Sequence, residues 1–336
     1  MPTRRGLNTM LLPGLALAAA PAALLARPAL AQSGGGAEWP AARPIEMIVP
    51  YPPAGGIDIM ARLAAKHLPN HLPGARFVIT NRVGAGGQTG TEVIYAARPD
   101  GLTLGAIASL GLSAKPLERP VRWTLESFTY LAQLVDDPCA FWVRADSPLR
   151  TLDDLVAAAR KGAETVSVGT AAGVGSDDHL LLLAFEEATR IRTLHAPYNG
   201  TAVAIRDLLG GQLDVASYNL SEGLSLLREG RTRCLGAAAP ERWPAMAEVS
   251  TFREQGFDVL GGSARGFVGP PGLPAEMEAR LVEAFRALLA DPGFQKEAAE
   301  LNLPLRPFVG AEYREAVLQE AAVVRDLFRR RPWGDQ

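Results

Sequence analysis

Cysteine, histidine and surplus basic charge are all scarce in this 336-residue chain, and each scarcity removes a class of function. Two cysteines, Cys139 and Cys234, cannot build a disulfide framework or a cysteine-based metal cluster. Of the four histidines, His67 and His71 have a helical ligand spacing, but Pro69 lies between them and Pro73 follows, so they read as helix-end surface residues. Asp177, Asp178 and His179 are adjacent, and adjacent helix residues point in different directions. The two acids suit a helix N-terminus and His179 a partly buried position, while His195 ends a strand-like segment and reads equally as a satisfied core residue. Motifs of catalysis are missing too: there is no G-x-S-x-G elbow and no G-x-x-x-x-G-K-[ST]. Gly84-Ala85-Gly86-Gly87 and Gly173-Val174-Gly175-Ser176 do not reproduce G-x-G-x-x-G, and no strand-end acid follows to hold a ribose. The expectation is a protein that is not an enzyme, with no cofactor and no metal.

The first 31 residues contain a basic start, an apolar run and the small-residue pattern Ala29-Leu30-Ala31, which together predict a signal peptide cleaved before Gln32. Thr3-Arg4-Arg5-Gly6-Leu7 also resembles a twin-arginine signal, and the general export route is an equal alternative. Pro13, Pro21 and Arg27 interrupt the apolar run and argue against a membrane anchor. Cleavage removes three arginines and no acid, moving the formal net charge from −2 to −5. A mildly acidic exported chain argues against nucleic acid or an anionic membrane as partner. Nothing after Gln32 is long and apolar enough to span a bilayer.

What is present is organised around Ile48 to Leu68. Ile45–Val49 alternates as a buried strand does. Pro50, Pro52, Pro53, Gly55 and Gly56 then forbid regular structure, and from Asp58 the apolar residues Ile59, Leu63, Ala64 and Leu68 take helical spacing. A strand, a loop poor in side chains and a helix N-terminus form a socket of bare backbone N–H groups that accepts anions. Asp58 would repel an anion, so it reads as tying loop N–H groups or pairing with Arg62 at i+4. Similar glycine-rich turns follow Phe77–Asn81 and Thr165–Thr170.

After a short polar lead-in over Ser33–Ala42, strands alternate with helices. Strands are expected at Phe77–Thr80 and Leu102–Ala108, with helices at Asp58–Leu68 and Gly90–Ala97. Near Tyr130 a second module begins, with strands Tyr130–Val135 and Cys139–Val143 and a helix capped by Thr151. There follow Thr165–Gly169, a helix capped by Ser176, Ile191–Ala196, a helix over Thr201–Leu209, Leu213–Tyr218, a helix from Ser221 and Cys234–Ala239. Gly266–Val268 returns to the first module. A helix opening at Pro274 is stopped by Asp291-Pro292-Gly293, and Tyr313 to Phe328 forms the last helix. The expected fold is α/β in two lobes, 44–138 with 240–336 and 139–239, each a mixed, largely parallel sheet flanked by helices. Paired hinge strands join the lobes, so they can close on a ligand.

Several phrases agree together with one family in order and spacing: VPYPPAGGIDIMAR, TNRVGAGGQTG, ARPDGLTL, GVGSDDHLLLLAF, PYNGTAVAIRDLLGGQLD, ERWPAMAEVSTFREQGF and FVGPPGLP. The chain resembles Bug-type extracytoplasmic solute receptors, the binding components of tripartite tricarboxylate transporters, from Pro44 to about Phe328. The resemblance implies a periplasmic, type II-like two-lobed binding protein, monomeric, that closes on a small organic carboxylate and hands it to membrane subunits. It implies that backbone N–H groups and waters of Pro53, Ala54, Gly55, Gly56 and Ile57 hold a ligand carboxylate. The loop Thr170 to Ser176, including Gly173 and Gly175, and the neighbourhood of Asn199 would meet it from the other lobe. Tyr51 and Ser109 complete the candidate ligand-binding set.

Departures from the family pattern bear on the ligand. Ala54 breaks the usual glycine run, Ile57 replaces a small polar residue and Asn199 stands where lysine is common. These favour a monocarboxylate or partly apolar dicarboxylate over citrate, because an unpartnered second carboxylate carries a desolvation cost. A receptor presenting ligand to a membrane sensor, and less readily an enzyme on a similar fold, are the alternatives. Cys139 and Cys234 fall where the chain is expected to cross between lobes; a bridge there competes with two buried free thiols, the slightly favoured reading.

Overall fold

The computed structural model describes residues 39–171 and 173–334. The expected signal peptide at 1–31 and residues 33–38 of the lead-in lie outside the described residues.

The first sheet starts from β1 (Ile45–Val49), β2 (Phe77–Asn81) and β3 (Thr103–Ala108), with β1 parallel to both neighbours. β9 (Gly262–Gly269) lies antiparallel between β3 and β4 (Thr129–Arg144), and β10 (Leu305–Val309) pairs antiparallel with β4. The second sheet contains β5 (Ser167–Thr170), parallel to β6 (Leu194–Pro197) and β7 (Val215–Asn219). β7 and β8 (Thr232–Ala237) run antiparallel to β4. The sheets are thus mixed: strands joined by crossover helices are parallel, and those that carry the chain between sheets are antiparallel.

β4 is the link. Two separate strands were expected here, yet sixteen residues form one strand that runs unbroken through Pro138. Its first part, Thr129 to Pro138, pairs with β9, and Cys139 to Arg144 pairs with β7 and β8. Pro138 has no N–H to give; the next amide, Cys139 N, bonds Gly261 O at 3.0 Å.

Helices cover both faces of each sheet. α1 (Gly56–His67), α8 (Ala275–Ala290) and α9 (Pro292–Glu300) pack on one face of the first, around Met47, Leu63, Phe267, Phe285 and Phe294. α2 (Gln88–Tyr95), α3 (Ser109–Glu118) and α10 (Ala311–Arg330) belong to the other, where Ile48, Leu112, Tyr130, Val268 and Tyr313 are buried. In the second sheet α4 (Leu152–Ala159) and α5 (Asp177–Thr189) surround Phe141, Phe185 and Phe252. α6 (Thr201–Leu209) and α7 (Leu220–Arg228) cover Trp142, Tyr218 and Leu224. Leu110 and Ala114 of α3, Leu180 and Leu183 of α5 and Val324 and Leu327 of α10 form a further apolar cluster with Trp333. The result is a two-lobed α/β binding-protein fold.

The cysteines are free. Cys234 is in register with Trp142, three residues beyond Cys139 on the neighbouring strand. Cys139 packs with Phe141 on one face and Cys234 with Trp142 on the other, so the sheet itself separates the thiols.

Candidate functional site

The loop after β1 folds as its prolines and glycines require. Ala54 takes φ 64°, a conformation most side chains avoid, and its N–H donates to Asp58 Oδ2 at 2.9 Å. Asp58 is buried, and it accepts from Arg62 Nε at 2.8 Å and from Asn81 Nδ2 at 2.9 Å. Burial alone would raise its pKa; the hydrogen bonds from Arg62, Ala54 and Asn81 outweigh that and hold it below the usual carboxylate range. Asp58 is therefore a brace for the loop, by both routes the sequence suggested. α1 then begins at Gly56, with Gly55 as an N-cap that offers no side-chain acceptor to the helix.

Against this helix start lies Arg265 of β9. The side chain is 3 % exposed, Nη2 donates to Asn219 Oδ1 at 3.0 Å and lies 3.1 Å from Asp137 Oδ2, and Nε donates to Ser263 Oγ at 3.1 Å. Nη1 has no partner among the described residues. A Cβ placed on Gly56 would stand 2.7 Å from Cζ, so the glycine is what lets the guanidinium approach α1. Asn219 is the residue before α7, and its Nδ2 donates to Asp137 O at 2.9 Å and to Asp177 Oδ2 at 3.0 Å. Asp177 is the first residue of α5. Asp137 is wholly buried and accepts from both the N–H (3.2 Å) and the hydroxyl of Ser221 in α7. One guanidinium thus gathers the N-termini of α1, α7 and, through Asn219, α5. Each of these helix ends carries partial positive charge.

Hydrogen bonds also set the turn that opens α5. Ser176 caps α5, accepting from His179 N and donating to Gly173 O at 2.8 Å. Gly175 N–H donates to His179 Nδ1 at 3.0 Å, and Thr170 Oγ1 lies 2.8 Å from His195 Nε2. The two imidazoles stack at 4.3 Å, and burial together with His195 pushes His179 down to about 3, so it stays neutral. Gly175 has φ 74° and packs against Glu118 of α3, which also accepts from Trp333 Nε1 at 3.2 Å and from Lys115 Nζ at 2.8 Å.

Several acids line this region. Burial pushes Glu222 up to about 7 and raises Asp178 far above its usual range. Cys139 Sγ, Asp177 and Asp178 hold three ligand-type atoms within 4.8 Å of one another. The buried thiol is also pushed up, and it donates to Asp177 Oδ2 at 3.2 Å, so this group serves as a hydrogen-bonded cluster. Burial pushes Tyr51 up to about 12, and the charge of Asp177 adds to the shift. Its ring also closes against Gly87 and Gly111.

The residues singled out from sequence divide accordingly. Tyr51 lies in the loop after β1, and Gly55 and Gly56 at the start of α1; Gly173, Gly175 and Ser176 belong to the turn before α5. Pro53 and Ala54 are exposed. Ile57 packs its side chain into the core with Met60 and Leu63. Ser109 is buried with its hydroxyl 3.2 Å from Tyr313 on the α10 side, and the Thr170 hydroxyl is taken by His195. Asn199 is exposed. Arg265, Asn219 and Asp137 were not anticipated. A signal existed for the first: an arginine inside Gly262-Ser263-Ala264-Arg265-Gly266-Phe267, on the same strand face as the core residue Phe267, is a charge where a strand is being buried.

Known proteins share both the sequence pattern and the architecture. A family model described as the tripartite tricarboxylate transporter family receptor matches residues 60–312. Protein BugT of Bordetella pertussis is 34% identical over 221 residues, 64% of this chain and 67% of its own length. A Rhodopseudomonas palustris protein solved with adipate superposes with a TM-score of 0.78 at 26% identity, covering 87% of this chain and 98% of the other. MatC from the same organism, solved with bound malate, gives a TM-score of 0.71 at 26% identity over 86% and 98% of the two chains. The chain belongs to the family of tripartite tricarboxylate transporter receptors.

Proposed function

We propose that this protein is a periplasmic receptor that closes its two lobes on a small organic carboxylate and delivers it to the membrane subunits of a tripartite tricarboxylate-type transporter, doing no chemistry itself. The observation that carries this is the uncapped start of α1, turned toward the starts of α5 and α7 around the Arg265 guanidinium. Charge-assisted hydrogen bonds contribute about 1.5–3 kcal/mol each, so a few of them reach the roughly 8 kcal/mol of a micromolar complex. The relatives solved with adipate and malate support the ligand class.

The proposed lobes are those drawn from the sequence, with one refinement. Val249, Phe252 and Val259 pack with the cores of the second sheet, which moves the return crossing from Pro240 to about Gly261. The hinge is then β4 at Pro138 beside the segment entering β9.

A thermal-shift screen of mono-, di- and tricarboxylates tests the reading. Ligand at about 100 times its dissociation constant stabilises by roughly 2.7 kcal/mol. Small mono- or dicarboxylates should raise the melting temperature more than citrate does. Absence of any shift across the panel, with a folded protein, would refute a carboxylate receptor; citrate as the strongest ligand would refute the expected size class.

A further inference from the structure

Arginines gather at the far end of α5, about 20 Å along its thirteen residues from the Ser176 cap. Arg190 and Arg192 follow that helix, Arg330 ends α10 and Arg331 comes after it. With Glu186 and Glu187 of α5 they line a surface recess of about 420 Å³. The two glutamates are already committed. Arg331 Nη2 pairs with Glu186 and its Nη1 donates to Leu183 O at 3.1 Å, while Arg330 Nε lies 3.5 Å from Glu187 Oε1. Glu186 Oε1 also accepts from Thr193 N at 2.8 Å. Arg190 and Arg192 are exposed, and neither has a carboxylate partner among the described residues.

Cations beside a helix C-terminus ordinarily serve the helix dipole. Arg160 does so, with Nη2 donating to Thr189 O at 3.4 Å, and Arg192 Nη1 is held by Ile191 O at 2.9 Å. Arg190 forms no side-chain hydrogen bond among the described residues, and it holds φ 57° at the C-cap, where glycine is the favoured residue. An arginine at that position works against the helix end.

We propose that this recess is a docking site for an acidic segment of a partner protein, whose carboxylates pair with Arg190 and Arg192. The inference concerns a face remote from the ligand cleft and holds whatever that cleft binds. Four arginines against two glutamates leave two positive charges in excess, on a chain whose formal net charge is −2. Guanidinium–carboxylate pairing is already the rule on these walls, and the planar fork of arginine takes a carboxylate through two parallel bonds. A single small anion gains little here, because exposed ion pairs are screened by water and salt. A chain segment brings several carboxylates at once and covers the recess as it seats, which dries the pairs it forms. A bilayer surface is flat and does not enter a recess that carries glutamates on its walls. A docked segment would touch both sheets' helices, since α5 covers the second sheet and α10 the first.

Fluorescence anisotropy with a fluorescein-labelled octaglutamate peptide at low salt tests this on the purified protein. The peptide should bind, and Arg190→Gly with Arg192→Gln should weaken it about tenfold or more. Arg98→Gln with Arg122→Gln, at two exposed arginines outside the recess, should leave affinity within about twofold. Glycine relieves the left-handed backbone at 190, so the melting temperature of the first variant should hold or rise while binding falls. A purely structural arginine would not give that combination. A first variant that melts lower or keeps its affinity overturns the proposal, as does equal weakening in the Arg98 and Arg122 variant or no binding by the wild type. Phosphatidylglycerol vesicles that recruit the protein and displace the peptide would make this face a membrane contact instead. Inorganic phosphate that displaces the peptide at matched ionic strength would make it a small-anion site. Either result overturns protein docking.

Discussion

Replacing Gly56 with alanine sets two effects of opposite sign against each other, and the structure says which wins. At the first position of α1 an alanine is worth up to about 1 kcal/mol more than glycine in helix propensity. Here, however, the new methyl group would overlap the Arg265 guanidinium, 2.7 Å from Cζ, and ordinary van der Waals contact requires the group to retreat by about 1 Å. Retreat stretches the bonds to Asn219 at 3.0 Å and Ser263 at 3.1 Å and strains the pair with Asp137. Each charge-assisted bond of this kind contributes about 1.5–3 kcal/mol. The expected outcome is a net destabilisation of roughly 1–3 kcal/mol. Urea denaturation measures it as a lowered midpoint at unchanged slope. Gly55→Ala is the control, because its Cβ would meet only Pro52 O at 3.6 Å and should leave the midpoint nearly unmoved. In an Arg265→Met background, Gly56→Ala should become neutral or stabilising, giving a coupling energy of about 2 kcal/mol. An alanine at 56 that stabilises the wild type and the Arg265→Met protein equally would refute the contact.

Two further outcomes follow from buried groups. Burial pushes the Glu320 carboxyl up to about 8, and its Oε2 has no partner among the described residues. The native state then holds this proton more tightly than the unfolded chain, so its contribution is fully present below about pH 4 and is lost as pH rises through 8; Glu320→Gln should flatten the fall in urea midpoint between pH 5 and 9, and an equal fall in both proteins would contradict this. Gly223→Ala on α7 would place a methyl group 2.7 Å from Trp142 Cε2, a ring that stacks on Tyr218 at 5.0 Å and is fully buried. Overpacking of this kind costs about 1–3 kcal/mol, read as a lowered melting temperature, with an unshifted transition counting against the packing.

Elements defined by their own residues were legible in the sequence. β1 and α6 lie where alternation and helical spacing put them, and the Thr151 capping box forms as its T-x-x-D pattern required. Misses came where a local rule had two readings. Asp291-Pro292-Gly293 stops α8 at Ala290 as its residues required, but the start it also makes was not read: Asp291 caps Gly293 N and Pro292 opens α9, a place where proline loses nothing. α3 was overlooked because it contains Gly111 and Pro116, both breakers elsewhere; its packing against α10 and α5 sustains it. β10 is half exposed, and its identity comes from pairing with β4 rather than from its own composition. The site divides the same way. The glycine-rich start of α1 could be read directly, but its partner Arg265 is more than two hundred residues away and is joined to Gly56 only by the antiparallel pairing of β9.

β4 has a consequence for how the molecule comes apart. Because one strand supplies the central pairing of both sheets, neither sheet can release it without removing a neighbour from the other. The lobes are therefore not independent folding units, and unfolding should proceed as one cooperative transition rather than two. Amides of β4, β7 and β9 at their shared pairings belong with the slowest to exchange, since only global opening exposes them. A chain cut at Pro138 would leave each half with a sheet edge that the intact strand had covered, and those two edges would be the surfaces through which the fragments find each other again.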